Sequence, residues 1–334
     1  MQPGSLSTFL KRGAIWAFIL IELAFFSIVG DAISVTDSAF LQPDNMLLLI
    51  KQSAPIGIIA LGMTVVMING NIDLSVGAIF ALAAIVLLTV LGLPSVQALG
   101  DVGAIIVAWA AALGTGLLLG AVNGLIVWKT GVDAFIVTLG SMLGFRGLVF
   151  MINGEQPTSE LNWTLIDFSE AHFLGLSTPT WFLVGATLVL WFMMRFTVHG
   201  RNAYAIGDNR EAAVNAGIRV GPHMMINFML IGLLAALSAV VFYSESGSVN
   251  PNDGTLYELW AITAVVLGGT KLTGGSGSII STLGGVIAIQ LLRKGLGHIG
   301  ADTETVNLVI GIILIAVLFL DRQLDVKGKE ALRV

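Results

Sequence analysis

From Val102 to Trp128 the chain carries no charged side chain at all. A helix needs about 20 apolar residues to cross the hydrocarbon core of a bilayer, within a range of about 17–25. Such a run restricts the fold sharply, because in lipid every backbone N–H and C=O must be satisfied internally. The rest of the chain repeats the pattern. Of 334 residues, 56% are hydrophobic and only 11% charged, whereas a soluble domain carries about 25% charge. So little charge cannot wet a globule of this size, and lipid has to be the solvent. The expected fold class is an all-α integral membrane protein.

Ten candidate spans can be drawn: 14–30, 46–68, 76–93, 102–128, 132–151, 181–197, 223–243, 259–270, 278–293 and 304–320. The eighth and ninth are short and glycine-rich, which makes one of them a candidate for a broken or re-entrant helix. Lys11 and Arg12 precede the apolar run from Ala14 to Gly30 without a good small-x-small cleavage site after it. That run reads as a signal anchor and first span. The expected organisation is a cytoplasmic N-terminus over 1–13, one membrane domain over 14–320 and a cytoplasmic tail over 321–334.

Charge placement tests this layout. With the N-terminus inside, the inner segments hold Lys11, Arg12, Lys129, Arg201, Arg210, Arg219, Lys271, Arg322, Lys327, Lys329 and Arg333. The outer segments 31–45, 94–101, 152–180 and 244–258 hold no Lys or Arg and carry acids instead, from Asp31, Asp37 and Asp44 to Glu160 and Glu258. This is a positive-inside distribution. Arg293-Lys294, at the outer end of the ninth span, is its exception. Trp16, Trp128, Trp181 and Trp260 fall at span ends, as an aromatic belt would place them. Trp163, Phe168 and Phe173 suggest that the long outer loop 152–180 folds back on the bundle. Val65–Ile79 and Val265–Ile279 form a faint internal echo, each joining two apolar helices at the inner face.

The polar stretch Gly200–Val220 interrupts the oil. Gly207-Asp208-Asn209 supplies a turn and an N-cap. Glu211 sits in a first helical turn, where the helix dipole favours an anion. Good helix formers follow, and Gly217 stops the helix. Ala212, Ala213 and Ala216 leave a smooth small-residue face. Two readings fit: a solvated connector, or a short rigid helix that inserts into a cleft on another protein.

Glu211-Ala212-Ala213, three residues and Gly217 resemble the coupling motif of ABC importer permeases. Ile72–Gly77 (IDLSVG), Phe135–Gly140 (FIVTLG) with Arg146–Leu148, Tyr204–Ala213 and Val266–Ser278 are similar to stretches of the ribose/xylose-type sugar permeases, in the same order over roughly residues 55–320. The resemblance implies a ten-span, vitamin B12-importer-like (type II) architecture in a bacterial inner membrane. It further implies a second permease copy or paralogue, a cytoplasmic ATPase using ATP and Mg, and a periplasmic sugar-binding protein. Gly200, Arg201, Asp208, Asn209, Glu211, Ala212, Ala213 and Gly217 would then form the ATPase contact. Asn69 and Asn71 around Gly70, Ser281-Thr282 and Arg293-Lys294-Gly295 depart from that family's usual residues.

Other groups invite function. Asp73 either caps the third span at Leu74 or lines a sugar path, and Asn69, Asn71 and Ser75 share both readings. Thr138, Asn123 and Asp133 offer contacts to a passing sugar or hydrogen bonds between helices. Arg146 either snorkels outward, as Lys51 does, or faces a pore. Glu22 sits mid-span, where a charge costs about 2.5–3.5 kcal/mol, so a proton-coupled carrier is one rival reading. A branched-chain amino acid permease is another. The glycine-rich run Gly268–Gly277 lacks Gly-Lys-Ser/Thr and lies between membrane helices, so it is not read as a nucleotide loop. The chain has no cysteine and four histidines, which argues against a metal site or thiol chemistry. No nucleophile–base or paired-carboxylate arrangement suggests an enzyme. The expected role is a permease subunit for a ribose- or xylose-like monosaccharide, working by ATP-driven alternating access and binding no cofactor or nucleic acid itself.

Overall fold

The computed structural model describes residues 6–33, 35, 39–159 and 162–331, with side chains between 15 and 319. Asp37, Glu160 and Arg333 lie outside the described residues, as do the side chains of Lys11, Arg12, Arg322, Lys327 and Lys329. Each of the ten expected spans falls on a helix. In chain order the helices are α1 (Leu6–Phe25, continued by a π-helical turn Phe26–Gly30), α2 (Pro43–Ile68), α3 (Val76–Leu91), α4 (Pro94–Gln97) and α5 (Gly100–Thr130). There follow α6 (Ala134–Asn153), α7 (Trp163–Glu170), α8 (Thr178–Phe196), α9 (Val198–Asp208) and α10 (Arg210–Asn215). The last are α11 (Val220–Ser246), α12 (Tyr257–Leu267), α13 (Ile279–His298) and α14 (Thr303–Ala331). Among the described residues, six of them, α2, α5, α6, α8, α11 and α13, are long and apolar enough to cross a membrane. The other four spans form shorter apolar helices.

Helix α2 lies at the centre. Every residue from Ser53 to Ile68 is buried, and α8, α11, α12 and α13 pack around it. Pro55 interrupts the α2 hydrogen-bond ladder, and the Ser238 hydroxyl donates to the Pro55 carbonyl at 2.7 Å. The most extensive helix pairing is α5 on α11, and its cause is a ridge of small residues. Ala104, Ala108, Ala112, Gly116, Gly120 and Gly124 recur at every fourth position of α5, and all are buried. A Cβ at Gly116 or Gly120 would strike the carbonyl of Gly232 or Phe228 on α11. Small residues let two backbones approach this closely, which is how helices associate where lipid removes the hydrophobic drive. By contrast α6 buries only Ala134, Thr138 and Val149, and α14 exposes Leu308, Ile312, Ile315 and Phe319 along one side. Apolar faces of this extent require lipid or another protein against them.

Two helices are broken. The third span starts only at Val76, so residues 69–75 are non-helical. Helix α12 has 11 residues, roughly 16 Å at 1.5 Å per residue, about half of a 30 Å hydrocarbon core. The segment before it runs back into the bundle. Arg146, twelve residues after Ala134 and hence roughly 18 Å along α6, holds that segment by the carbonyls of Pro251 and Asp253. Gly254 then abuts Gly77 at the start of α3. Irregular backbone at this depth is tolerated only where protein or a water-filled cavity surrounds it.

The loop 152–180 folds back in part. Phe168 packs its ring on Trp109 and Phe182, at centroid separations of 5.9 and 6.4 Å. Trp163 and Phe173 stay exposed. A two-stranded pair, β1 (Thr158–Ser159) with β4 (Ser248–Val249), ties this loop antiparallel to the end of α11. A small hairpin, β2 (His172–Phe173) with β3 (Leu176–Ser177), leads into α8. Trp260, expected in an aromatic belt, is instead buried beneath the Arg293 guanidinium, 4.1 Å from the ring centre.

Candidate functional site

The polar stretch folds as two helices rather than one. Asn209 separates α9 from α10, and its side-chain oxygen accepts from the Ala212 N–H at 2.9 Å, so the expected N-cap is present. Helix α10 ends in a Schellman arrangement. The Gly217 N–H donates to the Val214 carbonyl and the Ile218 N–H to the Ala213 carbonyl. Gly217 takes the left-handed conformation this needs, at φ +83°. Arg201, Asp208, Asn209, Glu211 and Ala212 are exposed. Gly200 is buried against the Met194 backbone. Ala213 departs from expectation. It is buried and pins α10 to the bundle, so the outward face is made by Ala212, Ala216 and Val214 instead.

Behind that exposed face three chain segments touch through glycine. Gly207 of α9 lies against the Ile68 carbonyl and the Gly275 N–H. A Cβ on Gly274 would come within 2.8 Å of the Gly70 Cα, and one on Gly275 within 2.9 Å of the Asp208 Cα. The Gly275 N–H donates to the Ile68 carbonyl at 2.9 Å, and the Tyr204 hydroxyl donates to the Gly277 carbonyl at 3.0 Å. The two echoed segments therefore meet. They also share one cap: Gly70 and Asn71 donate to Met67 and Val66, just as Gly269 and Thr270 donate to Val266 and Val265. The equivalence runs at an offset of 199 residues, one less than the offset of the sequence match.

A cavity of about 180 Å³ opens at this junction, lined among others by Asn69, Asn71, Gly207, Arg210 and Thr273. The Asn69 amide is buried, with neither its oxygen nor its nitrogen partnered among the described residues. A buried amide without partners is costly and marks a place where water or a ligand belongs. Deeper in, Asp73 does not cap a helix at Leu74. Its carboxylate accepts from the Ser75 N–H at 2.8 Å and from the Ser75 hydroxyl at 2.6 Å, ahead of a helix that starts at Val76. The Asn123 amide donates to the Ser75 hydroxyl at 2.8 Å, and the Ser141 hydroxyl donates to Asn123 at 2.6 Å. This chain of bonds joins the start of α3 to α5 and α6. Thr138 is buried beside it and donates to the Ala134 carbonyl of its own helix at 2.8 Å. Asp133 caps α6 by accepting from the Phe135 N–H.

Arg146 belongs elsewhere. It neither snorkels nor joins the Asn69 group: its guanidinium clamps Pro251 and Asp253 at 2.7 and 2.9 Å. Two carbonyls inside the bundle satisfy its donors better than a reach toward water. Lys51 does not snorkel either, because Glu170 at 2.8 Å and Glu245 at 3.5 Å hold it. Glu22 is buried on α1, which packs on α13, and its oxygens have no partner among the described residues. Missed by sequence reasoning is a larger cavity of about 630 Å³ at the end opposite the polar stretch. Its walls include Glu245, Tyr257, Trp260, Gln290, Arg293 and Lys294. The charge exception at Arg293-Lys294 was the signal for it. Near its rim Asp302 caps α14 by accepting from the Thr305 N–H, and the Thr305 side chain together with that N–H holds its carboxyl below the usual carboxylate range.

A bundle of broken apolar helices with an exposed polar helix on one end defines a multi-pass membrane permease. The chain belongs to the family described as the branched-chain amino acid transport system / permease component, which residues 45–318 match. Among its relatives is the ribose import permease protein RbsC of Bacillus subtilis, 40% identical over 87% of this chain and 88% of that protein. RbsC of Escherichia coli K12 is 35% identical over 87% of this chain and 89% of its own length. The D-allose transport system permease protein AlsC of Escherichia coli K12 is 32% identical over 86% of each chain. No solved structure matches the chain significantly.

Proposed function

We propose that this chain is the membrane-spanning subunit of a binding-protein-dependent ABC importer for a monosaccharide, with ten spans, type II architecture and both termini cytoplasmic in the bacterial inner membrane. The observation that carries the reading is the glycine junction. An exposed helix, α10, connects through Gly207 to the two turns whose backbones line the Asn69 cavity. A partner that pushes α10 therefore moves the mouth of the bundle. The partner is a cytoplasmic ATPase that uses ATP and Mg, which docks on Glu211–Gly217. A loaded sugar-binding protein docks on the acidic outer face, and a second permease subunit covers an exposed apolar face. Asn69, Asn71, Asp73, Ser75 and Thr138 lie along the path that opens, and Arg146 holds its outer wall. Named relatives that import ribose and allose support a monosaccharide as cargo.

The test is a mild-detergent purification of the tagged chain from its native membrane, with mass spectrometry of its companions. The wild type should bring an ABC ATPase, and a Glu211→Arg/Gly217→Trp variant should lose it. An ATPase absent from both, with both chains folded, would sink the reading.

A further inference from the structure

The cavity opposite the polar stretch carries a charge pattern that a neutral cargo does not need. It is bounded by α2, α11, α12, α13 and the start of α14, and it reaches Pro55, roughly 18 Å along α2 from Pro43. Its volume of about 630 Å³ lies within the roughly 300–1,000 Å³ usual for small-molecule sites. Arg293 and Lys294 both line it, and neither has a carboxylate within ion-pair distance among the described residues. Glu245 shares the wall but is already engaged by Lys51. Two cations therefore face the space against one carboxylate that lies beyond ion-pair distance of both, an excess of positive charge on the side where the connecting segments are free of Lys and Arg.

The side chains are placed for recognition. The Arg293 guanidinium sits over the Trp260 ring and donates one bond, to the Gln290 oxygen at 3.1 Å. The Gln290 amide nitrogen is in turn anchored to the Gln52 carbonyl. A guanidinium has five N–H donors in a rigid fork that matches a carboxylate or phosphate bidentately, so most of its donors remain for a ligand. The Asn307 side-chain oxygen, also on the wall, is buried with no partner among the described residues, an acceptor waiting for a hydroxyl or N–H donor. Fixed cationic fork, second cation and orphaned neutral acceptor together suit a polyhydroxyl molecule with one anionic end.

We infer that this cavity is a substrate site for a monosaccharide bearing an anionic group, a carboxylate or a phosphate, bound by Arg293 and Lys294 with its hydroxyls toward Asn307. The inference rests on the importer reading and sharpens its cargo. The experiment is calorimetric titration of the full chain in nanodiscs with D-gluconate, D-ribose 5-phosphate and D-ribose. One or both anionic sugars should bind at least ten-fold tighter than ribose, more weakly as salt rises. Gluconate alone would identify a carboxylate and ribose 5-phosphate alone a phosphate. Arg293→Gln/Lys294→Gln should abolish the preference, and Asn307→Leu should weaken the binding of every sugar that binds. Arg293→Lys, which keeps the charge and loses the fork, should retain part of the preference and guards against a merely unfolded double variant. Ribose binding as tightly as both anions, a preference unmoved by the double substitution, or no binding by any of the three would overturn the inference. The co-purifying ATPase is an independent readout, so its retention alongside a ribose preference would sink only the anionic cargo.

Discussion

Replacing Gly207 with alanine separates two effects that usually travel together. Gly207 sits in α9 with ordinary helical backbone, so nothing conformational demands glycine there. On helix propensity alone alanine should stabilise by about 0.8–1.0 kcal/mol. The structure opposes this. The new methyl would overlap the Ile68 carbonyl and the Gly275 N–H, both backbone groups that no rotamer change can move away. Overpacking of this kind costs about 1–3 kcal/mol. The Gly275-to-Ile68 hydrogen bond lies under the methyl, and its loss adds about 1 kcal/mol. The balance is a net destabilisation of about 1–3 kcal/mol. In a detergent melt Gly207→Ala should therefore unfold at lower temperature than wild type. It should still bring down its ATPase, because Glu211, Ala212 and Gly217 are untouched, while sugar uptake in cells falls at least ten-fold. A variant that melts at or above wild type and carries sugar normally would refute the contact and the coupling built on it.

Gly114→Ala is the counter-case: no atom lies within 4 Å of the added methyl and the backbone is helical, so it should raise stability by up to about 1 kcal/mol in the same melt. Arg146→Gln removes two charge-assisted bonds to Pro251 and Asp253 and should loosen that segment by about 2 kcal/mol, read as roughly 30-fold faster amide exchange confined to residues 250–256. Asn123→Leu leaves the Ser75 and Ser141 hydroxyls short of a partner and should cost about 1–3 kcal/mol in the melt, whereas a variant as stable as wild type would remove the polar chain from any role in holding α3.

The parts of this fold legible in the sequence are those governed by local chemistry. Apolar run length located a helix at every expected span, because the bilayer thickness imposes it. Asn209 and Gly217 announced the ends of α10, because caps act within one turn. What stayed hidden depends on depth and on partners far along the chain. Arg146 looked like a snorkelling residue until the segment around Pro251 was seen to dip beside it, and no spacing near Arg146 encodes that. Ala213 looked interchangeable with Ala212, although in a six-residue helix the first is buried and the second exposed. The four-residue spacing of alanines and glycines in α5 was present to be read. Alanine and glycine are common enough in apolar helices that the spacing gains meaning only when α11 is found against it. Arg293-Lys294 was visible as a break in the charge pattern, but the pattern could not say that a cavity lay beside it.

If the polar helix couples to the interior as proposed, the glycine junction is the contact through which it would act. Contacts between long side chains absorb part of a small displacement by changing rotamer. At Gly207, Gly70 and Gly274–Gly275 there are no side chains to do this, and backbone rests directly on backbone. A displacement of α9 and α10 must then carry the end of α2 and the 270–277 turn with it, or break the Gly275-to-Ile68 bond. Both of those turns end helices with the same cap, so each can hinge where its left-handed glycine sits, at φ +77° for Gly70 and +85° for Gly269. The unpartnered Asn69 amide lies at the first hinge. A rigid contact beside two hinges, with polar groups at one of them that have no partner among the described residues, is an arrangement through which the proposed force on the outside of the bundle would change the hydration of its mouth.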